Sequence, residues 1–248
     1  MMRVKCTISY DGHLFYGYQV QPGQRTVQDE LEKALKTLHK TKERIPVVSS
    51  GRTDSGVHAV GQTIHFDSPL SIPVAKWPYA LNALLPDDVA VTKAEVVDDQ
   101  FHARFSAKKK EYRYMIYRGR YPNVFKRHYA YHIPYELDMQ KVEKASRFLV
   151  GTHDFTSFCT AKTEVKDKVR TIYELEWSET EDGLQMRVVG SGFLYNMVRI
   201  IAGTLLQVGT GKFSPDDIEG MIEAKNRDAA GRTAPAHGLY LWNVIYDN

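Results

Sequence analysis

The segment Ser50-Gly51-Arg52-Thr53-Asp54-Ser55-Gly56-Val57-His58-Ala59 gathers a carboxylate, a guanidinium, hydroxyls and two glycines within ten positions. A carboxylate set on a turn can serve as a nucleophile or accept a proton. Arg52, two residues before Asp54, can sit beside that carboxylate or reach for a phosphate. Glycines let the backbone turn tightly and let a ligand approach closely. The local pattern Thr-Asp-Ser-Gly is also what an ordinary turn uses, and taken alone it favours that plainer reading. The loop is not a nucleotide cradle: Gly51 and Gly56 do not fit G-x-x-x-x-G-K-[ST], and no lysine is in place. Gly203 to Gly211 also fails as a dinucleotide fingerprint, because it sits where a helix ends.

Two further stretches hold candidate chemistry. Between Arg104 and Arg127 there are nine Lys/Arg residues, among them Arg104, Lys109, Lys110 and Arg113, and Glu111 is the one acid. Six aromatic residues are interleaved: Phe105, Tyr112, Tyr114, Tyr117, Tyr121 and Phe125. Cations attract phosphates and flat rings offer stacking faces to unpaired bases; a solvated basic strand pair is the plainer alternative. The segment from Leu194 to Val208 reads as a helix with the apolar stripe Leu194, Met197, Val198, Ile201, Leu205 and Val208. Asn196, Arg199 and Gly203 fall opposite that stripe, which would ordinarily face solvent. The tight apolar run Val188 to Phe193 before it favours a packed helix instead, and a buried arginine there calls for a carboxylate partner.

Composition narrows the classes. The chain has 248 residues, 43% hydrophobic and 25% charged, with a net charge of +3 from 33 basic and 30 acidic residues. That is close to the average of globular domains and enough for two modest cores. Cys6 alternates with apolar residues and should face a core, and two isolated thiols, Cys6 and Cys159, make neither a disulfide framework nor a zinc site. A reducing cytoplasm is the matching compartment. No apolar run approaches the ~18–20 residues that span a bilayer, and the N-terminus lacks the apolar stretch of a signal peptide.

The elements that must position these residues follow from periodicity. Residues 3–10 alternate as a half-buried strand. Thr26 caps a helix with Val27, Leu31, Leu35 and Leu38 on one face. The Asp54 loop leads into an alternating strand in which Val60, Gln62, Ile64 and Phe66 share a side. Trp77 to Leu85 is a short helix stopped by Pro86, and Val89 to Val97 a strand. Beyond Ser106, strands are predicted at Glu111–Tyr117, around Tyr173, Leu175 and Trp177, at Leu184–Val188 and at Tyr240–Tyr246. Asp138 caps a helix to Val150, and Ser214-Pro215-Asp216-Asp217 starts another, with the serine as cap. Paired strands with helices between them, seen twice, predict an α+β fold of two domains. The expected division is 1–105, carrying the Asp54 loop, and 106–248, carrying the basic strand and the Arg199 helix. Each half would be a mainly antiparallel sheet with helices packed on it, the two forming one central cleft.

Several blocks, in order, resemble one family. Gly51-Arg52-Thr53-Asp54-Ser55-Gly56-Val57-His58-Ala59 resembles the signature loop of the TruA-type tRNA pseudouridine synthases. Ser9-Tyr10-Asp11-Gly12 with Gly17-Tyr18-Gln19 is similar to the family's opening. Phe101-His102-Ala103-Arg104-Phe105-Ser106-Ala107 with Tyr112-Arg113-Tyr114 is similar to its central block. Gly192-Phe193-Leu194-Tyr195-Asn196-Met197-Val198-Arg199 and Ala234-Pro235-Ala236-His237-Gly238-Leu239 match its C-terminal blocks. The resemblance runs over nearly the whole chain and reverses the plain-turn reading of Asp54.

The resemblance implies a reaction in which a uridine of tRNA is detached at its N1–C1′ bond, rotated and rejoined through C5, without cofactor or metal. It implies Asp54 as nucleophile, Arg199 as its basic partner, and Tyr112 as the ring that stacks on the base and helps remove the C5 proton. A phenol is seldom ionised at neutral pH, so that last role needs assistance. Whether Asp54 attacks C1′ or C6 stays open. Arg52, Arg104, Arg113, Lys109 and Lys110 become candidate RNA contacts. Arg52 or Arg104 would brace the space that a target base leaves when it quits the stack, at a cost of a few kcal/mol. The family acts on the 3′ side of the anticodon stem-loop as a homodimer, so tRNA and a second copy of the chain are the implied partners. A non-catalytic RNA-binding module, a two-carboxylate glycoside hydrolase and a synthase for another RNA class are the rival readings.

Overall fold

A computed structural model of the chain describes residues 1–160 and 165–247. Among these, the first elements are strand β1 (Met2–Tyr10), helix α1 (Val27–Leu38), β2 (Val48–Ser49), β3 (His58–Ser68), α2 (Trp77–Asn82) and β4 (Val89–Val97). Then follow β5 (Ala107–Tyr117), β6 (Tyr131–His132), α3 (Met139–Leu149), β7 (Gly151–Asp154), β8 (Val169–Thr180) and β9 (Gly183–Gly190). Helices α4 (Met197–Gly209) and α5 (Asp217–Ala224) and strand β10 (Leu239–Tyr246) complete the chain. It is an α+β fold with mainly antiparallel strand pairing. Two compact units are present, Met1–Lys108 with Tyr240–Asn248, and Lys109–Leu239. The sequence suggests a boundary after residue 105, with the rest of the chain in the second half. The final strand differs, because chain order does not tell a strand which partner it finds: β10 runs parallel to β3, with Tyr240 opposite His58 and Leu241 opposite Ala59.

In unit 1 the strand order is β4-β1-β3-β10. Strand β1 runs antiparallel to both neighbours and buries Val4, Cys6, Ile8 and Tyr10, as the alternation demands. The other edge of β3 is shared: β2 pairs there at His65 and Ile64, β10 at His58 and Ala59. Alternation on β3 is broken by a bulge, since Ile8 faces Gln62 but Tyr10 faces Ala59. The extra residue slips the pleat, so Val60 is exposed although its spacing groups it with Gln62, Ile64 and Phe66. Gln62, Thr63 and His65 are all buried, so β3 is covered on both faces. Helix α1 begins where Thr26 Oγ1 accepts the Asp29 N–H (3.4 Å), and it buries Val27, Leu31, Ala34 and Leu35.

In unit 2 the order is β5-β9-β8-β7, all antiparallel, with the short β6 beside the end of β5. Strand β8 also carries a bulge, because Ile172 faces Gly190 while Glu174 faces Val189. Tyr173 is the extra residue and lies exposed, not in line with Leu175. Helix α3 has Asp138 as its cap, accepting from Lys141 N, and packs on β8 and α4. Helix α4 is buried at every position except the half-buried Arg199, so its polar face is largely enclosed. It starts at Met197, later than the stripe suggests, because Asn196 takes a left-handed conformation (φ 62°) that ends the preceding turn. Helix α5 also starts later: Ser214 and Pro215 form a turn ahead of it, closed by Ser214 N–H on Asp217 Oδ2 (2.7 Å). Among the described residues no helix is long and apolar enough to cross a membrane.

Candidate active-site residues

The Asp54 loop is the connection from β2 to β3, and its neighbours hold it from several sides. Ser50 N donates to Thr63 O (2.8 Å) and Ser50 Oγ to Gln62 Oε1 (2.6 Å). Gln62 Nε2 donates back to Gly51 O (2.7 Å), so one buried amide closes the base of the loop. Farther along, Thr53 Oγ1 lies 2.8 Å from Tyr10 OH, and Thr53 O accepts from Tyr18 N (3.1 Å). Burial pushes the Tyr10 phenol up to about 12, so the hydroxyl stays protonated beside Thr53. Val57 N closes the turn onto Asp54 O (3.1 Å), and Gly56 N and Ser55 Oγ both bond Phe15 O. The Asp54 side chain is half-buried in this frame, and Arg52 is exposed.

The opening block of the sequence exists to receive this loop. A Cβ on Gly12 would fall 2.0 Å from Val57 O, and one on Gly17 would fall 2.9 Å from Thr53 O. Gly17 also has φ of 91°, which side chains disfavour. Backbone lies directly on backbone at both places, which no other residue allows. The next residue of the loop strand, His58, is buried; its Nδ1 accepts from Gly12 N (3.0 Å) and its ring stacks on Tyr240 at 4.6 Å. The spacing of two glycines and a histidine in separate blocks is thus a single packing requirement within unit 1.

Tyr112 and Arg199 lie in unit 2. Tyr112 is on β5 opposite Val188 of β9, buried, with its ring edge-on to Phe193 at 5.2 Å. Arg199 is half-buried in the first turn of α4. Its Nε donates to Ala234 O (2.8 Å) and its Nη1 to Asn196 Oδ1 (2.9 Å), while its own carbonyl accepts from Ala234 N (3.0 Å). The sequence reading called for a carboxylate to hold a buried arginine. Inside unit 2 a carbonyl and an amide oxygen orient this guanidinium. Asn196 is in turn fixed by Nδ2 to Thr160 Oγ1 (2.8 Å). In the sequence Phe193 belongs to a tight apolar turn, and in the fold its ring meets Tyr112 of β5.

The basic stretch divides once its side chains are placed. Tyr114 is core, and its hydroxyl is spent on Pro235 O (2.8 Å); Phe105, Tyr121 and Phe125 are exposed. Arg113 is half-buried and bonds Glu111 (2.8 Å), which also receives Arg187 (3.3 Å), so its charge is balanced within the sheet. Lys109 Nζ sits 4.8 Å from the centre of the Tyr173 ring, and Lys110 is half-exposed on β5 opposite Gly190. Arg104 is exposed beside Phe105. The run is poor in acids of its own, yet Asp247 reaches Lys108 (3.0 Å) and Asp182 reaches Lys126 from distant parts of the chain.

A family model described as tRNA pseudouridine synthase matches residues 7–106 and 145–247, spans that contain Asp54 and Arg199. Tyr112 falls between them, in a region that full-length relatives cover. Over 247 residues, covering 100% of both chains, this sequence is 87% identical to tRNA pseudouridine synthase A of Bacillus licheniformis and 76% identical to that of Bacillus subtilis. It is 60% identical over 248 residues to tRNA pseudouridine synthase A of Anoxybacillus flavithermus. With a braced aspartate loop in unit 1, an oriented arginine in unit 2 and relatives of this kind along its full length, the chain belongs to the tRNA pseudouridine synthase family.

Proposed function

We propose that the chain isomerises uridine to pseudouridine in the anticodon stem-loop of tRNA, with Asp54 as the nucleophile. The supporting observation is the Asp54 loop itself: its backbone is tied to β3 and the Phe15–Tyr18 segment and its Thr53 side chain to Tyr10 of β1, while the carboxylate stays partly open to solvent. A fixed carboxylate that can both attack and leave suits a bond exchange at one sugar carbon or one base carbon. The balance is internal. The N1–C1′ bond breaks, the C5–C1′ bond forms, C5 loses a proton and N1 gains one. Nothing is oxidised or reduced.

Tyr112 stacks on the uracil and assists removal of the C5 proton. Arg199 is the basic partner of Asp54, and its guanidinium is oriented by Ala234 O and Asn196 Oδ1. Arg52, Arg104, Lys109, Lys110 and Arg113 contact the RNA, Arg113 the least freely because Glu111 already binds it. The enzyme works as a homodimer in the cytoplasm.

The test uses an unmodified tRNA transcript with no added cofactor, and pseudouridine is mapped base by base. Product at the anticodon arm with wild-type protein, together with retained RNA binding but lost conversion in Asp54→Asn, is the expected result. Conversion confined to another part of the tRNA would overturn the substrate assignment. An active Asp54→Asn variant would overturn the nucleophile.

A further inference from the structure

The loop from His102 to Ser106 holds five consecutive backbone N–H groups, and every one is bonded inside unit 1. His102 N donates to Ser106 Oγ (3.0 Å) and Ser106 N to His102 O (2.9 Å). Ala103 N donates to Nδ1 of His65 (3.1 Å). Arg104 N and Phe105 N both donate to Nδ1 of His102 (3.1 and 3.2 Å). The carbonyls are engaged as well: Phe101 O accepts from Arg3 Nη1 (2.9 Å), and Ala103 O from the Tyr246 hydroxyl (2.7 Å). Exposed loops usually leave such groups to water. This one is locked, and both imidazoles act as acceptors at Nδ1, which for the buried His65 means a neutral ring with the proton on Nε2. Burial, helped by Arg3 and His102, lowers His65 to about 4 and keeps it in that form.

The locked loop presents two side chains outward. Phe105 is 77% exposed, the kind of apolar surface that folding ordinarily hides. Its ring is stacked on the His102 ring, centroids 4.4 Å apart and planes 29° apart, so one face is backed while the residue stays largely exposed. Arg104 carries its guanidinium 5.7 Å from the same ring. A largely exposed flat ring with a cation over it matches a base and the phosphate next to it, whereas an apolar protein surface would leave the guanidinium unpaired. Because the loop is already ordered, seating a base costs little further ordering.

We propose that Phe105, backed by His102, is a fixed stacking platform for one unpaired base of the tRNA substrate. His102 is a positioning residue: its ring supports the platform from below, and its Nδ1 holds the backbone that carries it. The inference rests on the reading of the chain as a tRNA-modifying enzyme and adds a base-contact site to it.

The experiment compares wild type, Phe105→Ala, Phe105→Trp, His102→Ala and His102→Asn. Each is assayed for tRNA affinity and for kcat/KM on transcripts carrying single abasic nucleotides through the anticodon arm. Phe105→Ala should lose between roughly 5- and 150-fold in affinity, the span of one base–aromatic stack, with an unchanged salt slope because no phosphate contact is lost. Phe105→Trp should stay near wild type. One abasic position should weaken wild type and leave Phe105→Ala no worse than on the intact transcript. His102→Asn, which keeps an acceptor near the two N–H groups, should bind better than His102→Ala. Thermal melting identifies any variant that fails to fold; Phe105 is exposed enough for its replacements to melt normally. Wild-type affinity in a folded Phe105→Ala, or an affinity loss that couples to no abasic position, overturns the platform. An inactive wild type overturns the enzymatic reading instead, and the affinity series still decides the platform.

Discussion

Gly203 gives the sharpest prediction about how the fold holds Arg199. A Cβ added there would lie 1.9 Å from Arg232 O and 3.1 Å from Ala234 N. Ordinary contact begins near 3.4 Å, so the 232–234 segment would have to withdraw by roughly 1.5 Å. That same segment supplies two of the bonds that hold Arg199: Ala234 O on Nε, and Ala234 N on the arginine carbonyl. Overpacking costs about 1–3 kcal/mol, and a lost hydrogen bond to a charged group about 1.5–3 kcal/mol. Alanine's better helix propensity returns about 1 kcal/mol. Gly203→Ala should therefore destabilise the protein by about 1.5–5 kcal/mol, which for a chain of this size lowers Tm by roughly 3–20 °C. Displacing Arg199 by on the order of 1 Å should also slow single-turnover conversion about 100-fold. The control is Gly220→Ala in α5, an exposed helical glycine with open space where the Cβ would go. That variant should gain about 0.5–1 kcal/mol and keep its activity. Melting followed by circular dichroism, with a quenched single-turnover assay, separates the two. A Gly203→Ala protein that melts with Gly220→Ala and turns over like wild type would refute the reasoning.

Three further outcomes follow from other parts of the structure. His65 is neutral in the fold, lowered from 6.5 to about 4 by burial first, then by Arg3 and His102 and against Asp67. The unfolded chain takes up this proton first, so the stabilisation is full above pH 6.5 and is lost as pH falls toward 4, about 3 kcal/mol in all. Urea titrations across that window should show the decline, and His65→Gln should flatten it; an unaltered slope in the variant would sink the assignment. Glu32, buried on α1, accepts from Arg44, Gln28 Nε2 and the buried Val47 N–H (3.2 Å) just before β2. Glu32→Ala should cost about 1–3 kcal/mol by stranding that N–H. Arg44→Ala, at a side chain that is largely exposed, should cost under about 1 kcal/mol, and equal losses in chemical denaturation would contradict the difference. Arg104→Ala should lower the salt dependence of tRNA affinity by about one phosphate contact while Phe105→Ala leaves it alone, and an identical slope in the two variants would show that Arg104 meets no phosphate.

Much of the scaffold is written in local pattern. Alternation located β1 and β4, Thr26 and Asp138 announced α1 and α3, and the Asp54 loop stood out by residue type. These features are legible because each depends on neighbours a few positions away, where side-chain period and capping chemistry act. The misplacements share the opposite cause. Val60 and Tyr173 left their expected faces because bulges, set by what the partner strand offers, inserted one residue into the count. Helix α4 showed an amphipathic pattern but is enclosed almost all round, because the segment returning at 232–234 lies against Gly203.

The sequence by itself determined the family, the α+β class and the identity of the candidate nucleophile, since all of these reside in residue types and their order. Tertiary structure alone decided why the blocks travel together. Gly12 and Gly17 are there for the backbone of the Asp54 loop, His58 for Gly12, and Ala234 for Arg199, across separations in the chain that no local period can span. It also decided which aromatic rings of the basic stretch are core and which are open, because burial depends on what the rest of the chain brings to each side. For Asp54, the physical difference between a turn and a site is therefore held by residues that the loop's own sequence does not contain.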